Sequence, residues 1–101
     1  MLSSEQSMSW QVFFSKRAEK QLTKLPENII SVMLFLTREI ELQGPMRHAW
    51  KNFGKLQGFQ NRYHCHLKNG RPTYVACWEV KDKEIRIIEV YYVGTHEQAP
   101  Y

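Results

Sequence analysis

The chain has 101 residues, enough for one hydrophobic core and too few for two. Its 14 Lys and Arg residues outnumber 10 Asp and Glu residues, giving a formal net charge of +4 with neutral histidines, and this surplus favours an anionic partner such as nucleic acid. No apolar run approaches the roughly 18 residues of a membrane helix, and the start lacks the basic and apolar segments of a secretory signal, so a soluble cytoplasmic protein that binds no membrane is expected.

The start of the chain, residues 1–9, is polar and carries no periodic pattern, so it is predicted to be disordered. The remainder, residues 10–101, is predicted to be a single domain. The only two cysteines, Cys65 and Cys77, are too few for a disulfide framework and have no CxxC spacing for zinc or redox chemistry. Both lie in apolar runs, which indicates buried free thiols in the core.

The first half of the domain is predicted to be a strand followed by two helices. An aromatic and β-branched run at 10–14 favours the strand, and Ser15 can cap the helix that follows. The helix has apolar residues at helical spacing on one face. Its other face carries four cations: Lys16, Arg17, Lys20 and Lys24. Pro26 ends this helix, and a second helix with a broad apolar stripe is predicted over 27–43, before a Gly-Pro stop signal.

The second half of the domain begins with a loop over 46–60 that includes a short strand near 55–57. Three strand-like runs follow, at 61–67, 73–80 and 84–93. Their connections are so short that neighbouring strands must be antiparallel, and Gly94 is predicted to turn the chain at the end of the last one. The predicted fold class is therefore α+β, with an N-terminal strand, a helical hairpin and a three-stranded antiparallel meander, the helices packing on one face of the sheet.

The first strand of the meander separates an apolar face from a polar face by strict alternation. The apolar set belongs to the core: Tyr63, Cys65 and Leu67. The outward set is cationic or titratable: Arg62, His64 and His66. An imidazole can move a proton in either direction near neutral pH, or complement a phosphate when it is protonated. A single surface histidine more often has no role, so the pair beside an arginine is what points to a functional site.

Zinc is the weaker interpretation of the two histidines, because three or four ligands must converge and Cys65 points to the other face. No metal and no other cofactor is therefore expected. If the C-terminal segment folds back over the sheet, then His96, Glu97 and Tyr101 reach the same cleft as the histidines of the strand.

Cations near this cleft are candidates to neutralise phosphates, and aromatic side chains could stack on unpaired bases. The RNA-binding set consists of Lys55, Arg62, Lys68, Arg71 and Glu97. The stacking set consists of Phe53, Phe59 and Tyr101. For Lys68 and Arg71, which flank a turn, an ordinary solvated surface is the stronger interpretation.

The order of strand, two helices and three-stranded meander, with "FSKRAEKQLTKLP" near the start and "YYVGTH" near the end, resembles the RelE/ParE superfamily of bacterial toxins from type II toxin-antitoxin systems. The likeness spans residues 10–101. RelE-type members are small basic ribonucleases that cleave messenger RNA on the ribosome without a metal, using the ribose 2′-hydroxyl as the nucleophile. The resemblance implies a cytoplasmic endoribonuclease whose partners are messenger RNA, the ribosome and a cognate antitoxin protein.

The resemblance also implies roles for single residues. The family pattern has two lysines at the positions of His64 and His66, and a phosphate-binding arginine where this chain has Val75, a loss that Arg62 could offset. After the last strand, a catalytic arginine or histidine and a later tyrosine match His96 and Tyr101. The histidines resemble those of YoeB and HigB toxins. The implied catalytic set is His64, His66, His96 and Tyr101. The resemblance makes His96 the acid or a phosphate partner, and it makes either His64 or His66 the base.

Two other functions stay open at this point. ParE-type relatives share the fold but poison DNA gyrase, and they generally lack the catalytic residues, so the histidines favour the ribonuclease. A non-catalytic binding module of the same fold is the second alternative, and the missing arginine at Val75 supports it.

Overall fold

The computed structural model describes residues 9–101, and in this range five strands form one sheet beside two helices. The elements are β1 (Gln11–Phe14), α1 (Lys16–Thr23), α2 (Glu27–Gln43), β2 (Gly54–Lys55), β3 (Arg62–Lys68), β4 (Tyr74–Asp82), β5 (Ile87–Thr95) and a final 3₁₀ turn (His96–Gln98). The disorder predicted for residues 1–9 lies outside the described residues, apart from Ser9.

The strand order across the sheet is β1-β5-β4-β3-β2. Strands β2 to β5 are antiparallel neighbours, whereas β1 runs parallel to β5 at the edge, so the start and the end of the fold lie side by side. Both helices pack on the same face of the sheet. The predicted α+β class, the helical hairpin and the three-stranded meander are confirmed. In the described chain, neither helix has the length and apolar content needed to cross a membrane.

The two helices begin and end where their sequence signals indicate. The Ser15 side chain accepts a hydrogen bond of 3.1 Å from the amide of Ala18 and so caps α1. Helix α2 starts after Pro26 and ends before Gly44, whose φ of 97° favours glycine. The buried residues of α2 follow helical spacing: Ile29, Met33, Leu36 and Ile40. This apolar stripe fixes which face of the hairpin meets the sheet.

The main core lies between the helices and the sheet, with Trp78 as its largest fully buried side chain. Its indole nitrogen donates a hydrogen bond of 3.1 Å to the carbonyl of Pro45, which satisfies the one polar atom of the ring. Phe53 stacks on Trp78 at 6.0 Å and on Tyr63 at 5.8 Å. Phe53 therefore belongs to this core, and its predicted role in stacking on bases is wrong.

Three predicted strand boundaries are wrong. Strand β5 begins at Ile87, because 83–86 form a turn in which the Asp82 carboxylate accepts hydrogen bonds from two backbone amides. Gly94 does not turn the chain, since it pairs with Val75 and the strand continues to Thr95. The short strand before the meander is Gly54–Lys55 rather than 55–57.

A β-bulge in β5 creates a second apolar cluster on the face opposite the helices. Cys77 pairs with Tyr92 while the next residue, Trp78, pairs with Val90, which leaves Tyr91 as the extra residue. Both tyrosines consequently lie on the outer face, where Tyr91 packs against the buried residues of this cluster. We call Val75, Cys77 and Tyr92 the outer cluster. Cys77 is thus a buried free thiol as predicted, but it lies in the outer cluster and not beneath the helices.

Candidate active site

Four side chains from three parts of the chain meet on the outer face of the sheet. His64 and His66 alternate along β3, His96 opens the 3₁₀ turn, and Tyr101 is the last residue. The ring centroids of His64 and Tyr101 are 4.7 Å apart, those of His96 and Tyr101 are 6.0 Å apart, and those of His66 and His96 are 5.5 Å apart. We call these four residues the histidine-tyrosine cluster. All four sequence-predicted catalytic residues therefore lie side by side on one face of the sheet.

The C-terminal segment is held on the sheet by hydrogen bonds and by apolar contact. The His96 amide donates to the carbonyl of Thr73 at 2.8 Å, and the Ala99 amide donates to the carbonyl of His96 at 3.2 Å. Ala99 packs against the outer cluster. Val75, at the position where the resemblance places an arginine, is a fully buried member of that cluster. Val75 is thus part of the apolar cluster on which Ala99, in the segment that carries His96 and Tyr101, packs.

Gly94 allows a close approach beside the outer cluster. The Tyr92 hydroxyl donates a hydrogen bond of 2.7 Å to the carbonyl of Thr95, which directs the phenol toward the C-terminal end of its own strand. A Cβ at Gly94 would lie 2.8 Å from that hydroxyl oxygen, closer than real Cβ atoms come. The glycine of the "YYVGTH" motif is therefore needed for the position of Tyr92 and not for a turn.

The surroundings of His64 disfavour its protonated form. Burial lowers the pKa of His64 below its ordinary value of 6.5, and the neighbouring His66 and His96 lower it further. Its Nδ1 is buried and has no hydrogen-bond partner within residues 9–101. A neutral imidazole at physiological pH can accept a proton. Tyr101 is 49% exposed, and burial of the rest raises the pKa of Tyr101 to about 12, so its hydroxyl stays a hydrogen-bond donor at neutral pH.

Asn69 is a residue of the site that the sequence interpretation missed. Its side-chain oxygen lies 2.5 Å from Nδ1 of His66. Since an amide oxygen accepts hydrogen bonds only, His66 must carry its proton on Nδ1, and this determines the tautomer of the neutral ring. The turn sequence "KNG" was the available signal, because a turn after β3 brings Asn69 back to the end of that strand.

Arg62 lies on the same face as the histidines, but its charge is already partnered. Its Nε is 3.4 Å from a carboxylate oxygen of Glu79, and its guanidinium lies 4.3 Å from the Phe59 ring centroid and 4.9 Å from that of Tyr91. Lys81 also pairs with Glu79, at 3.4 Å. The two rings cover the guanidinium and the carboxylate offsets its charge, so little of the cation is left to bind a phosphate.

The other members of the predicted RNA-binding set lie in two places. Lys55 pairs with Tyr63 across the strands, and directly paired residues share a face, so Lys55 lies on the helix side of the sheet edge, away from the histidines. Lys68, at the end of β3, and Arg71, in the turn between β3 and β4, are both exposed. Arg71, His96 and Glu97 line one pocket of about 600 Å³ beside the histidine-tyrosine cluster.

The described residues, 9–101, contain no group of three or more His, Cys, Asp or Glu side chains positioned to hold a metal ion. The two thiols are also unsuited to nucleophilic chemistry. Cys65 and Cys77 have no exposed surface, and burial raises the pKa of each to about 12. The candidate chemistry of the site is therefore acid-base chemistry by imidazoles.

A basic stripe runs along α1, next to the C-terminal segment. Its members are exposed and form no ion pair within the described part of the chain: Lys16, Arg17, Lys20 and Lys24. At 100° per residue they fall within an arc of about 100°. A groove of about 310 Å³ joins this stripe to the C-terminal segment through Arg17, Lys24 and Gln98. The cationic surface thus continues from the helix toward the active-site face.

Comparison with known proteins identifies the fold. No protein-family model matches the sequence, and no curated protein matches it significantly. RelE from the archaeal RelE-RelB complex of Pyrococcus horikoshii matches with a TM-score of 0.71 and 20% identity, over 91% of this chain and 100% of that chain. A mutant of the Escherichia coli toxin RelE in the free state gives a TM-score of 0.72 and 23% identity, over 91% and 88%.

A third solved structure, the YoeB dimer from Staphylococcus aureus, matches with a TM-score of 0.68 and 12% identity, over 87% of this chain and 98% of that chain. The chain therefore has the fold of the RelE and YoeB toxins across almost its whole length. The resemblance inferred from the sequence is confirmed at the level of the fold.

Proposed function

We propose that this protein is a RelE-type toxin, a metal-independent endoribonuclease that cleaves messenger RNA at the histidine-tyrosine cluster. The observation that carries the proposal is the contact between Tyr101 and His64, which brings the C-terminal segment with His96 over the two histidines of β3. Three imidazoles and a phenol on one face supply an acid, a base and hydrogen-bond donors in one place. The fold shared with RelE and YoeB supports the toxin class.

The proposed reaction is an attack of a ribose 2′-oxygen on the adjacent phosphorus. His64, neutral because its pKa is lowered, accepts the proton of the 2′-hydroxyl. The new bond closes a 2′,3′-cyclic phosphate, and the bond from phosphorus to the 5′-oxygen of the next nucleotide breaks. His96 donates a proton to that leaving oxygen. His64 takes up one proton and His96 gives one. The protein returns to its starting state when the two imidazoles exchange protons with water.

Stabilisation of the phosphate needs positive charge or aligned donors in place of the arginine that Val75 replaces. His66 can take this role as an imidazolium, in which Nδ1 donates to Asn69 and Nε2 is left to donate to a phosphate oxygen. Tyr101 adds a hydroxyl donor and a ring on which a base can stack. Lys68 and Arg71 contribute long-range attraction from the adjoining turn.

A polyanionic partner is supported by the basic stripe on α1. Four cations that form no ion pair within residues 9–101 lie on one helix face, and in a chain of net charge +4 they favour binding to RNA through phosphates. We propose that the protein acts on messenger RNA at the ribosome in the cytoplasm. The RelE proteins of Pyrococcus horikoshii and Escherichia coli were solved in complex with RelB, and we propose a cognate antitoxin for this chain as well.

Primer-extension mapping of ribosome-bound messenger RNA tests the proposal. The unmutated protein should produce discrete cuts ending in 2′,3′-cyclic phosphates, and His96→Ala should abolish them. The matched control is His48→Ala, because His48 is an exposed histidine outside the histidine-tyrosine cluster whose ring contacts Phe53. Intact RNA combined with inhibited supercoiling by gyrase would instead support the ParE-like alternative. Equal growth arrest by the unmutated protein and by His96→Ala would support a non-catalytic module.

A further inference from the structure

Phe59 is an exposed aromatic side chain in the connection between β2 and β3. It keeps 45% of its surface exposed and follows a tight turn in which Gly58 has a φ of 85°, a conformation that favours glycine. The Phe59 amide donates to the carbonyl of Leu56 at 3.3 Å, and the Leu56 amide donates to the carbonyl of Arg62 at 2.8 Å. The loop that carries Phe59 is therefore closed against the start of β3.

The Phe59 ring is held in place by the Arg62 side chain. The guanidinium lies 4.3 Å from the Phe59 ring centroid and 4.9 Å from that of Tyr91, and a cation in this position is attracted by the faces of both rings. Its ion pair with Glu79, at 3.4 Å, fixes the guanidinium in turn. A ring that is already fixed loses less conformational entropy when a ligand stacks on it. We call Phe59, Arg62 and Tyr91 the aromatic-arginine platform.

The aromatic-arginine platform adjoins the histidine-tyrosine cluster at one end. Arg62 and His64 are two residues apart on the same face of β3, a separation of about 7 Å along the strand. In the opposite direction along β3, the next residue on this face is His66, whose ring centroid lies 5.5 Å from that of His96. The platform and His96 therefore lie on opposite sides of His64.

The direction of the proposed reaction decides which nucleotide meets the platform. A proton donated by His96 to the leaving 5′-oxygen places the downstream nucleotide on the side of His96. A proton accepted by His64 from the attacking 2′-hydroxyl places the upstream nucleotide beside His64, with Phe59 on its far side. An unpaired base presents a π-face that stacks on an aromatic ring, and the upstream base has this ring within its reach.

We propose that the aromatic-arginine platform binds the base of the nucleotide immediately upstream of the cleaved bond, which stacks on Phe59. This inference rests on the proposed function, because the roles of His64 and His96 set the direction of the RNA. Arg62 supports the ring and does not bind the phosphate, since Glu79 offsets its charge. Stacking tolerates every base, so Phe59 contributes affinity and positions the attacking ribose without selecting a sequence.

The test compares two isomeric nucleotides with the same base and the same charge, and it needs no cleavage. Adenosine 3′-monophosphate mimics the upstream nucleotide, because its phosphate stands for the one attacked, and adenosine 5′-monophosphate mimics the downstream nucleotide. Binding of each is followed by NMR titration. Phe59→Leu keeps an apolar contact for Arg62 and loses the aromatic face. It should weaken binding of the 3′ isomer about fivefold or more and leave binding of the 5′ isomer within about twofold.

Phe13→Leu is the matched control, because Phe13 is also 45% exposed and lies on the same face of the sheet, at its β1 edge. It should leave both affinities unchanged. Phe59→Trp, which offers a larger ring, should bind the 3′ isomer at least as tightly as the unmutated protein. Unchanged binding of the 3′ isomer by Phe59→Leu, or equal losses for the two isomers, overturns the inference even if RNA is cleaved. A selective loss of the 3′ isomer in a protein that cleaves no RNA leaves the stacking site standing and refutes the proposed function instead.

Discussion

The ring of Tyr101, the last residue of the chain, lies 4.7 Å from the ring of His64 in the third strand of the sheet. The C-terminal segment follows β5, and the contact joins it to β3, which is separated from β5 by β4. The C-terminal segment thus contributes a side chain to the candidate site, and removal of that side chain should expose His64 to water.

Two substitutions of Tyr101 should distinguish the contribution of its ring from that of its hydroxyl. We expect Tyr101→Ala to slow RNA cleavage about tenfold or more, because a looser site misplaces the reacting groups. Tyr101→Phe keeps the ring contact and should lose less. Single-turnover cleavage of ribosome-bound RNA measures both. Ile85→Ala, which removes an exposed apolar side chain from the distant β4–β5 turn, is the control. Cleavage by Tyr101→Ala at the unmutated rate would contradict the contribution of the ring.

The pH dependence of cleavage should report the neutral form of His64. Because the pKa of His64 lies below 6.5, kcat/KM should fall on the acid side only at pH values below 6.5. His66→Gln removes a neighbouring imidazole that disfavours protonation of His64, so the acid limb should move to higher pH. His48→Gln should leave it in place. An acid limb that moves to lower pH, or that does not move in His66→Gln, would show that the base is another group.

The hydrogen bond between Asn69 and His66 predicts coupled effects of substitution. Asn69→Ala should slow cleavage several-fold, since His66 loses the partner that selects its tautomer. In a protein that already carries His66→Ala, the same change should have almost no further effect, because the contact no longer exists. The double-mutant cycle is measured by kcat/KM. Additive losses would mean that Asn69 acts on the RNA directly or on the fold.

Substitutions of the two buried cysteines test whether the outer cluster holds the C-terminal segment in place. Cys65 and Cys77 are equally inaccessible, but only Cys77 belongs to the outer cluster, against which Ala99 of the C-terminal segment packs. Cys65→Ser should lower the free energy of unfolding by about 1–3 kcal/mol, because a hydroxyl is buried in the apolar core, and Cys77→Ser should lower it less, because the Tyr91 hydroxyl lies beside that position. Only Cys77→Ser should speed hydrogen exchange at residues 96–101. Equal exchange in the two variants would refute the anchoring role of the outer cluster.

The basic stripe on α1 predicts a salt-dependent contribution to RNA binding. Lys20→Ala should weaken binding to RNA of any sequence and reduce the slope of log K against log salt by about 1. Lys83→Ala, with the same change of net charge in the β4–β5 turn, should leave the slope unchanged. Filter binding or fluorescence anisotropy over a salt series measures the slopes. The same reduction in both variants would indicate an effect of net charge alone.

Much of the fold was predictable from patterns of neighbouring residues. The limits of α2, the cap at Ser15 and the outward direction of His64 and His66 all match the prediction, because helical spacing, capping and strand alternation depend on residues a few positions apart. The assignment of Phe53 to base stacking failed, because a loop aromatic has no such periodicity and its burial depends on the distant Trp78.

The parts of the site that could not be predicted depend on contacts between distant segments. The ion pair of Arg62 with Glu79 follows from the register of β3 against β4, and the position of both Tyr91 and Tyr92 on the outer face follows from a bulge that shifts one strand by a residue. Neither register nor bulge leaves a local signal. The available charge of Arg62 was overestimated for that reason.

By itself the sequence determined the kinds of element, their order, the outward face of β3 and the residue types that can carry acid-base chemistry. The tertiary structure alone decided that β1 pairs in parallel with β5, that Ala99 of the C-terminal segment packs against the outer cluster, and that Tyr101 covers His64. The physical reason is the range of the interactions. Side-chain periodicity and capping act within a few residues, whereas packing joins surfaces that come together only when the whole chain has folded.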